Sequence, residues 1–469
     1  MTRHINNYVV AAIMTIVILS YTTFIFYSAK LSIIYSFIFL VQAFLVLAMT
    51  SRVLLVYFFI ALLFFSNIFI SLVSPALNSF ELKLLLGVDF LLLILISLNE
   101  FIQNRAKLNK LLLFPLAFIL IYFVYGVINN GFIAASIYVR LLSYALLAFY
   151  IGGSVGSKID DPIFRKIILS LGVLFLIYVF AEFFYTASIY SLINADTFFN
   201  LKYPLKEIVN VDDVIEINTR RLFNTQYFPD IYVLRPVGLL LHSISTAYVF
   251  AIFFSLSLYW RKCFFAFLFA VAVLIMGSKG ALALIIIVFA YELLKKINAF
   301  TPVSLLLGLC IYVIASGFIS YYNNDPHIFS ILSTLYHLPS NLLGQGVGYG
   351  GSIVMGYNSE LSLDFINGDS AFAVILNMMG LFGIVVYAFY FIIIKKLFIL
   401  YHQKQRNISI LLTSLAALMA NSIFQEEAFS PYSLGFLMFM IGVLHYKDLM
   451  EDSVNKHRDK SQHITLEKR

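Results

Sequence analysis

Charge is scarce in this sequence: only 12% of its 469 residues are Asp, Glu, Lys or Arg, whereas 61% are hydrophobic. A soluble domain usually carries about twice that share of charge, so there is too little polar surface to cover a soluble globule of this size. The apolar runs also lack the alternation of polar and apolar positions that is typical of a membrane β-barrel. The chain is therefore predicted to be an integral membrane protein built of helices, because in lipid only helices and closed barrels satisfy every backbone group.

Several other features are rare or missing. The two cysteines, Cys263 and Cys310, lie in or at the edge of predicted helices, which argues against a disulfide or a metal site. No small-residue cleavage pattern follows the first apolar run, which is too long for a signal-peptide core and is kept as a span. The net charge of +7 does not indicate nucleic-acid binding, because the basic residues concentrate in short loops predicted to face the cytoplasm.

Apolar runs of membrane-spanning length follow one another almost without pause. They predict about fourteen helical spans, and no fewer than eleven, because the runs at 84–98, 263–277 and 280–294 are short for a full crossing. The fourteen runs are 8–27, 31–50, 53–73, 84–98, 111–128, 137–156, 166–187, 236–259, 263–277, 280–294, 302–320, 371–394, 407–424 and 432–446.

One orientation places Lys or Arg in every short cytoplasmic loop, with both termini inside. The sequence then forms a single membrane domain, 1–446, followed by a cytoplasmic tail, 447–469. Two long loops, about 188–235 and 321–370, are predicted to lie on the outer face, and the second contains no Lys or Arg. Neither loop is large enough for a soluble catalytic domain, so any site is expected between helix ends and loops on the outer face.

The stretch from Arg220 to His242 carries the most suggestive charges. Arg220 and Arg221 precede Arg235-Pro236, where a membrane helix is expected to begin, since proline fits the first helical turn. That helix would place Arg235, Gly238 or Leu239, and His242 on one face. Arginine at a helix N-terminus favours a phosphate group. The alternatives are that Arg235 only reaches lipid headgroups and that His242 is a packing residue.

Three further segments fall on the predicted outer face. Lys279 lies in a Ser-Lys-Gly break between two short apolar runs, which could also be a plain helix hairpin. The glycines of 344–351, among them Gly346 and Gly348, do not follow a strand, so a nucleotide-binding loop is excluded. A tight turn or a re-entrant loop is expected, and its backbone amides could reach a ligand.

Carboxylates complete the set of candidates. Asp369, followed by Ser370, is expected to cap the next helix and could also act as a general base. The pairs Glu426-Glu427 and Asp212-Asp213 lack neighbouring residues at metal-ligand spacing, so a metal site is not favoured.

The order of these features resembles the O-antigen polymerase and O-antigen ligase superfamily. The features are Arg-Pro-x-Gly-x-x-x-His from Arg235, the Ser-Lys-Gly break, the Gly-x-Gly-x-Gly loop, and a polar residue eleven positions before Gly380-Leu-x-Gly. The resemblance covers about 220–385. Ligases of the superfamily look as though they place a histidine where this chain has Asp369, which favours a polymerase. Lys279 stands where arginine is common, so the positive charge is kept but the bidentate hydrogen bonding of a guanidinium group is lost.

The resemblance implies a glycosyltransferase of the GT-C-like type in the bacterial inner membrane. Its donor and acceptor would be undecaprenyl-diphosphate-linked oligosaccharides, and it would need no metal, nucleotide, other cofactor or nucleic acid. A chain-length regulator and a flippase are implied as partners beside the lipid bilayer. Asp369 is the first choice of base and His242 the second. The substrate-binding residues would be Arg220, Arg221, Arg235, Lys279, Gly346, Gly348, Ser370 and Glu426.

Two other functions stay open. A ligase of the same superfamily would transfer the glycan to lipid A-core. A transporter or flippase of lipid-linked sugars would spread ionisable residues through the membrane midplane and show paired halves. The gathering of polar residues at one face favours the enzyme.

Overall fold

The computed structural model describes most of the chain. The described residues are 17–104, 110–156, 159, 161–221, 232–297, 301–322, 326–351, 370–402, 407–446 and 448–449.

Eight helices form the first part of the fold. They are α1 Val17–Ser28, α2 Ile33–Thr50, α3 Arg52–Val73, α4 Ser79–Leu85, α5 Val88–Asn104, α6 Lys110–Asn130, α7 Phe132–Gly156 and α8 Asp161–Phe184. Helices α4 and α5 together make one apolar stretch of 25 residues, Ser79–Gln103, so the run at 84–98 belongs to a longer span than the sequence predicted.

The first long loop of the prediction is mostly ordered into short elements. They are α9 Thr186–Leu192, α10 Ala195–Lys202, α11 Val211–Asn218, β1 Thr219–Arg221 and β2 Tyr232–Leu234. The two strands pair antiparallel, with Thr219 opposite Leu234. Hydrogen bonds hold this region on the ends of the spans: Ser71 Oγ donates to the Ile193 carbonyl at 2.6 Å, and Ser79 Oγ to the Leu201 carbonyl at 3.1 Å.

The second part of the fold is again helical. Its helices are α12 Ser243–Tyr259, α13 Cys263–Met276, α14 Lys279–Lys296, α15 Pro302–Tyr322, α16 Pro326–His337, α17 Ala371–Met379, α18 Gly383–His402 and α19 Ile408–Asn421. A 3-10 turn, Glu426–Phe429, and a π-helical turn, Pro431–Gly435, lead into the last helix, α20, at 436–446.

Among the described residues, nine helical stretches are long and apolar enough to cross a membrane, and four shorter apolar helices accompany them. The chain is therefore an all-α polytopic membrane protein, as its composition predicts, with one short pair of strands in addition.

The interior is formed by helices that are buried on every side. All fourteen residues of α19 are buried, and α12 is buried from Ser245 to Ser257. Close approach of α7 and α20 depends on small residues, since a Cβ on Gly152 would lie 2.3 Å from the Phe439 carbonyl oxygen. Helix α15 instead leaves most of its apolar side chains exposed, as expected of a helix that faces lipid.

Helix α12 begins later than the sequence predicted. It starts at Ser243 rather than at Pro236, because Gly238 (φ +67°) and Leu241 (φ +48°) adopt left-handed conformations that a helix does not contain. His242 is the N-cap residue, with its side chain accepting from the Ser245 N–H. The expectation that Arg235 and His242 share a helical face is therefore wrong, and residues 235–242 form a compact turn.

Candidate functional site

One side of the site is formed by the segment 421–427, which follows α19 and which we call the acidic turn. Asn421 Nδ2 donates to the Gly280 carbonyl at 2.8 Å, and Tyr248 OH donates to Gln425 Oε1 at 2.7 Å. A Cβ on Gly280 would lie 2.2 Å from Gln425 Oε1, so a side chain at 280 would displace the Gln425 amide from this position. The acidic turn is thus locked against the Ser-Lys-Gly break that opens α14.

Arg235 lies on the other side of the same break. A Cβ placed on Gly277 would be 3.6 Å from Arg235 Nε, and Gly277 has φ +61°. Lys279 follows as the first residue of α14, and it is exposed. Two segments separated by more than forty residues therefore bring an arginine beside the break that carries a lysine at a helix N-terminus, where exposed N–H groups favour an anion.

His242 contacts the acidic turn through Glu427. Its Nε2 lies 3.9 Å from Glu427 Oε1, while its Nδ1 accepts from the Ser245 N–H at 3.2 Å. Burial and the positive charges of Lys202 and Lys206 lower the pKa of His242 to about 3, so the imidazole is neutral at neutral pH. Because Nδ1 accepts from the Ser245 N–H, the neutral imidazole carries its hydrogen on Nε2, the nitrogen nearer to Glu427. Glu427 is accordingly better placed than His242 to accept a proton.

Ser370 joins the acidic turn from a third direction. Its Oγ donates to the Ile423 carbonyl at 2.5 Å and accepts from the Ala373 N–H at 3.1 Å. Ser370, not Asp369, is therefore the N-cap of α17, and the prediction that Asp369 caps this helix is wrong. Asp369 itself lies outside the described residues.

The remaining predicted substrate-binding residues lie in three different places. Glu426 is buried in the 3-10 turn of the acidic turn. Arg220 and Arg221 belong to β1, and their side chains lie outside the described part of the structure. Gly346 and Gly348 lie away from the acidic turn, against α6 and α7.

The glycine loop is held by its own backbone amides. The Gly346 N–H donates to the Met378 carbonyl at 2.9 Å, and the Val347 N–H to the Tyr122 carbonyl at 3.1 Å. From α6, Asn130 Nδ2 donates to three carbonyls of the loop, the nearest being that of Gln345 at 3.1 Å. These contacts wedge the loop between α6, α7 and α17, so the glycines permit close packing here.

Replacing Gly126 with alanine is expected to push α6 and the glycine loop apart. Its Cβ would lie 2.0 Å from the Val347 carbonyl oxygen, and backbone on both sides must move, which should cost about 2 kcal/mol or more. The measurement is the thermal unfolding of the purified protein in detergent. Gly317→Ala on α15 is the matched control, because its Cβ would meet nothing closer than 3.9 Å. Equal melting temperatures for the two variants would contradict the wedge.

The sequence reasoning missed an ion pair inside the bundle. Arg140 Nη2 lies 2.9 Å from Asp89 Oδ2, which also accepts from Tyr144 OH at 3.1 Å. Asp89 is 1% exposed, and Arg140 stands eight residues into α7, about 12 Å along its axis. Each is a charge inside an apolar run, and that pattern alone could have marked them, since such residues are costly in a membrane.

A second buried group connects this region to the turn at 235–242. Asn67 Nδ2 donates to the Leu240 carbonyl at 2.6 Å and to Tyr432 OH at 3.3 Å. Tyr432 follows the acidic turn along the chain and lies near Arg140. The arginine, the tyrosine and the asparagine thus tie α3 and α7 to the turn that carries His242.

Glu182 is the carboxylate that fixes the turn itself. It is fully buried, and it accepts from the backbone N–H groups of Val237 and Gly238, the latter at 2.8 Å. Tyr190 OH donates to it at 2.8 Å. Arg235 is only two residues from Val237, so Glu182 holds the backbone from which Arg235 extends.

Comparison with protein-family models, curated proteins and solved structures finds no match to this chain. The arrangement itself therefore carries the functional assignment. Among the described residues it offers two cations at the Ser-Lys-Gly break, a neutral histidine against a carboxylate, and helix ends that leave backbone N–H groups available. Such a set can bind an anion, stabilise growing negative charge on it, and accept a proton from a nearby hydroxyl.

Proposed function

We propose that this protein polymerises oligosaccharide repeats carried on a polyprenyl diphosphate, forming a surface polysaccharide at the periplasmic face of the bacterial inner membrane. The observation that carries the proposal is the approach of Arg235 to the break containing Lys279. The sequence predicts that both residues bind substrate, and Arg235 lies beside Gly277, two residues before Lys279. Guanidinium and ammonium groups match the oxygens of a diphosphate.

The chemistry needs only groups of these kinds. A sugar hydroxyl of one lipid-linked repeat attacks the anomeric carbon of another, and the bond from that carbon to the diphosphate oxygen breaks. The electron pair leaves with the polyprenyl diphosphate, whose charge Arg235 and Lys279 stabilise. The hydroxyl proton passes to a carboxylate, for which Asp369 and Glu427 are the candidates. The activated bond is already present in the donor.

The test is to incubate the purified full chain in proteoliposomes with the lipid-linked repeat alone. Self-extension of the repeat into a ladder of products is expected. A requirement for added lipid A-core would instead identify a ligase, and movement of the repeat across the vesicle membrane without lengthening would identify a flippase. Either result would contradict the proposal that the protein is a polymerase.

The dependence of polymerisation on pH tests the role of His242. For an ordinary histidine base with a pKa near 6.5, the neutral fraction falls about 25-fold between pH 7 and pH 5. The pKa of His242 is lowered to about 3, so this imidazole stays neutral over that range and the initial rate is expected not to fall through its protonation. A tenfold loss at pH 5 that disappears in His242→Gln would contradict this reading.

A further inference from the structure

Ser278 is the N-cap residue of α14, but its hydroxyl does not cap the helix. Serine at this position usually accepts a hydrogen bond from an N–H group two or three residues later. The Ser278 side chain makes no such bond, although it is only 4% exposed. Its Oγ has no hydrogen-bond partner among the described residues. A buried hydroxyl without a partner destabilises a fold, which indicates that a bound ligand supplies the partner.

The first turn of α14 also keeps its own donors available. Its first backbone hydrogen bond runs from the Leu282 N–H to the Ser278 carbonyl at 3.0 Å. The N–H groups of the three residues before Leu282 therefore have no acceptor within the helix. Because α14 is 18 residues long, its dipole adds positive potential at this end, where phosphate groups commonly bind. The Ser278 hydroxyl thus belongs to a set of donors that suits an oxyanion.

Two cations flank the same serine. On one side is Gly277, where a Cβ would lie 3.6 Å from Arg235 Nε, and on the other is the exposed Lys279. Three consecutive residues therefore bring together a guanidinium group, a buried hydroxyl without a partner, and an ammonium group at a helix N-terminus. Charge attracts an anion to this end of α14, and the hydroxyl adds a hydrogen bond with a defined direction.

Hydrogen bonds from two other helices fix the position of this helix end. Asn421 Nδ2 donates to the Gly280 carbonyl at 2.8 Å, and Tyr312 OH from α15 donates to Asn421 Oδ1. A backbone carbonyl can only accept, so the two bonds together fix the orientation of the Asn421 amide. Donors that are already in place cost little further ordering when a ligand binds.

We propose that the Ser278 hydroxyl donates a hydrogen bond to a phosphate oxygen of the anion for which Arg235 and Lys279 supply the positive charge. The identity of this anion as a polyprenyl diphosphate rests on the proposed function, whereas the binding of a phosphate group does not. A bilayer lipid with a phosphate headgroup shares this chemistry. The two sources differ in the number of linked phosphates, so pyrophosphate and phosphate distinguish them.

The test is a ligand titration of the purified full chain in detergent, read out by thermal unfolding. Inorganic pyrophosphate and inorganic phosphate are the two probes, and a bound ligand raises the melting temperature according to its concentration relative to its dissociation constant. Ser278→Ala is expected to raise the dissociation constant of the bound probe by about tenfold, as loss of a hydrogen bond to a charged group predicts. Its ligand-free melting temperature should not fall, because the variant removes a buried hydroxyl that has no partner.

Ser257→Ala is the matched control. Ser257 is also fully buried, and its Oγ likewise has no partner in the part of the chain that the structure describes. It lies near the end of α12 that is remote from the turn at 235–242. The ligand-free melting temperature of this variant should respond as that of Ser278→Ala does, but its affinity for both probes should equal that of the wild type.

A second variant tests the helix end itself. Ser278→Asp places a carboxylate at the N-cap position, where it accepts from the N–H groups of the first turn and repels an anion. It is expected to bind pyrophosphate more weakly than Ser278→Ala does, with a ligand-free melting temperature no lower than that of the wild type.

The outcomes separate the sources and the proposals. Binding of pyrophosphate that depends on Ser278 and is at least tenfold tighter than binding of phosphate supports a diphosphate ligand, and equal Ser278-dependent binding of both probes supports a lipid headgroup. Neither probe binding to the wild type, or Ser278→Ala binding as Ser257→Ala does, would overturn the role of Ser278. Because no turnover is measured, a chain that binds pyrophosphate through Ser278 but forms no polymer would contradict only the polymerase assignment.

Discussion

Arg235→Ala is expected to lower the initial rate of repeat polymerisation by about 100-fold or more, which is the usual loss when one group that stabilises a developing anion is removed. The protein should still insert and fold, because Arg235 is only partly buried and lies in a turn whose backbone is held by other residues. The measurement is product formation by purified variants at equal protein concentration. Arg235→Lys should recover part of the rate, since it restores the charge without the two-pronged geometry.

The matched control for this variant is Arg261→Ala. Arg261 is an exposed arginine between α12 and α13, at the opposite end of α12 from the site. Its rate is expected to equal that of the wild type. A normal ladder of product lengths from Arg235→Ala would remove Arg235 from the diphosphate site.

Glu182→Ala is the change with the largest expected effect on both stability and activity. It leaves the buried N–H groups of Val237 and Gly238 and the Tyr190 hydroxyl without their acceptor, at a cost of about 3 kcal/mol or more. Released from the carboxylate, the turn no longer fixes Arg235, so the polymerisation rate should fall together with the melting temperature. Thermal unfolding and the polymerisation assay on the same preparation measure both.

A second variant distinguishes loss of the position of Arg235 from general loss of folding. Glu182→Gln keeps the size of the side chain and one carbonyl acceptor, so it should recover more stability than activity. Glu216→Ala on α11 is the control, because this glutamate is exposed and should affect neither property. If Glu182→Ala melts and polymerises as Glu216→Ala does, the carboxylate does not hold the turn.

Hydrophobic run length was sufficient to predict the helical membrane architecture, because spans of this kind must satisfy their own backbone. It could not locate the start of α12. Proline at 236 is compatible with a helix N-terminus, but the backbone turns at Gly238, whose N–H is bound by Glu182, some fifty residues earlier in the chain. A contact across that distance has no local signature, so the helical face proposed for Arg235 and His242 did not form.

The candidate site shows the same division. The motifs indicated Arg235 and Lys279, and the fold brings their segments together. The Asp89–Arg140 ion pair was not predicted, although each charge interrupts an apolar run and such charges are costly in a membrane.

The most direct measurement is an experimental structure of the full chain in a lipid nanodisc with a bound lipid-linked repeat. We predict density for the diphosphate within hydrogen-bond distance of the Arg235 guanidinium, beside the Ser-Lys-Gly break, with the first sugars extending toward the acidic turn. Density for the diphosphate at the opposite end of the bundle, near the loop that contains Arg261, would contradict the proposed site.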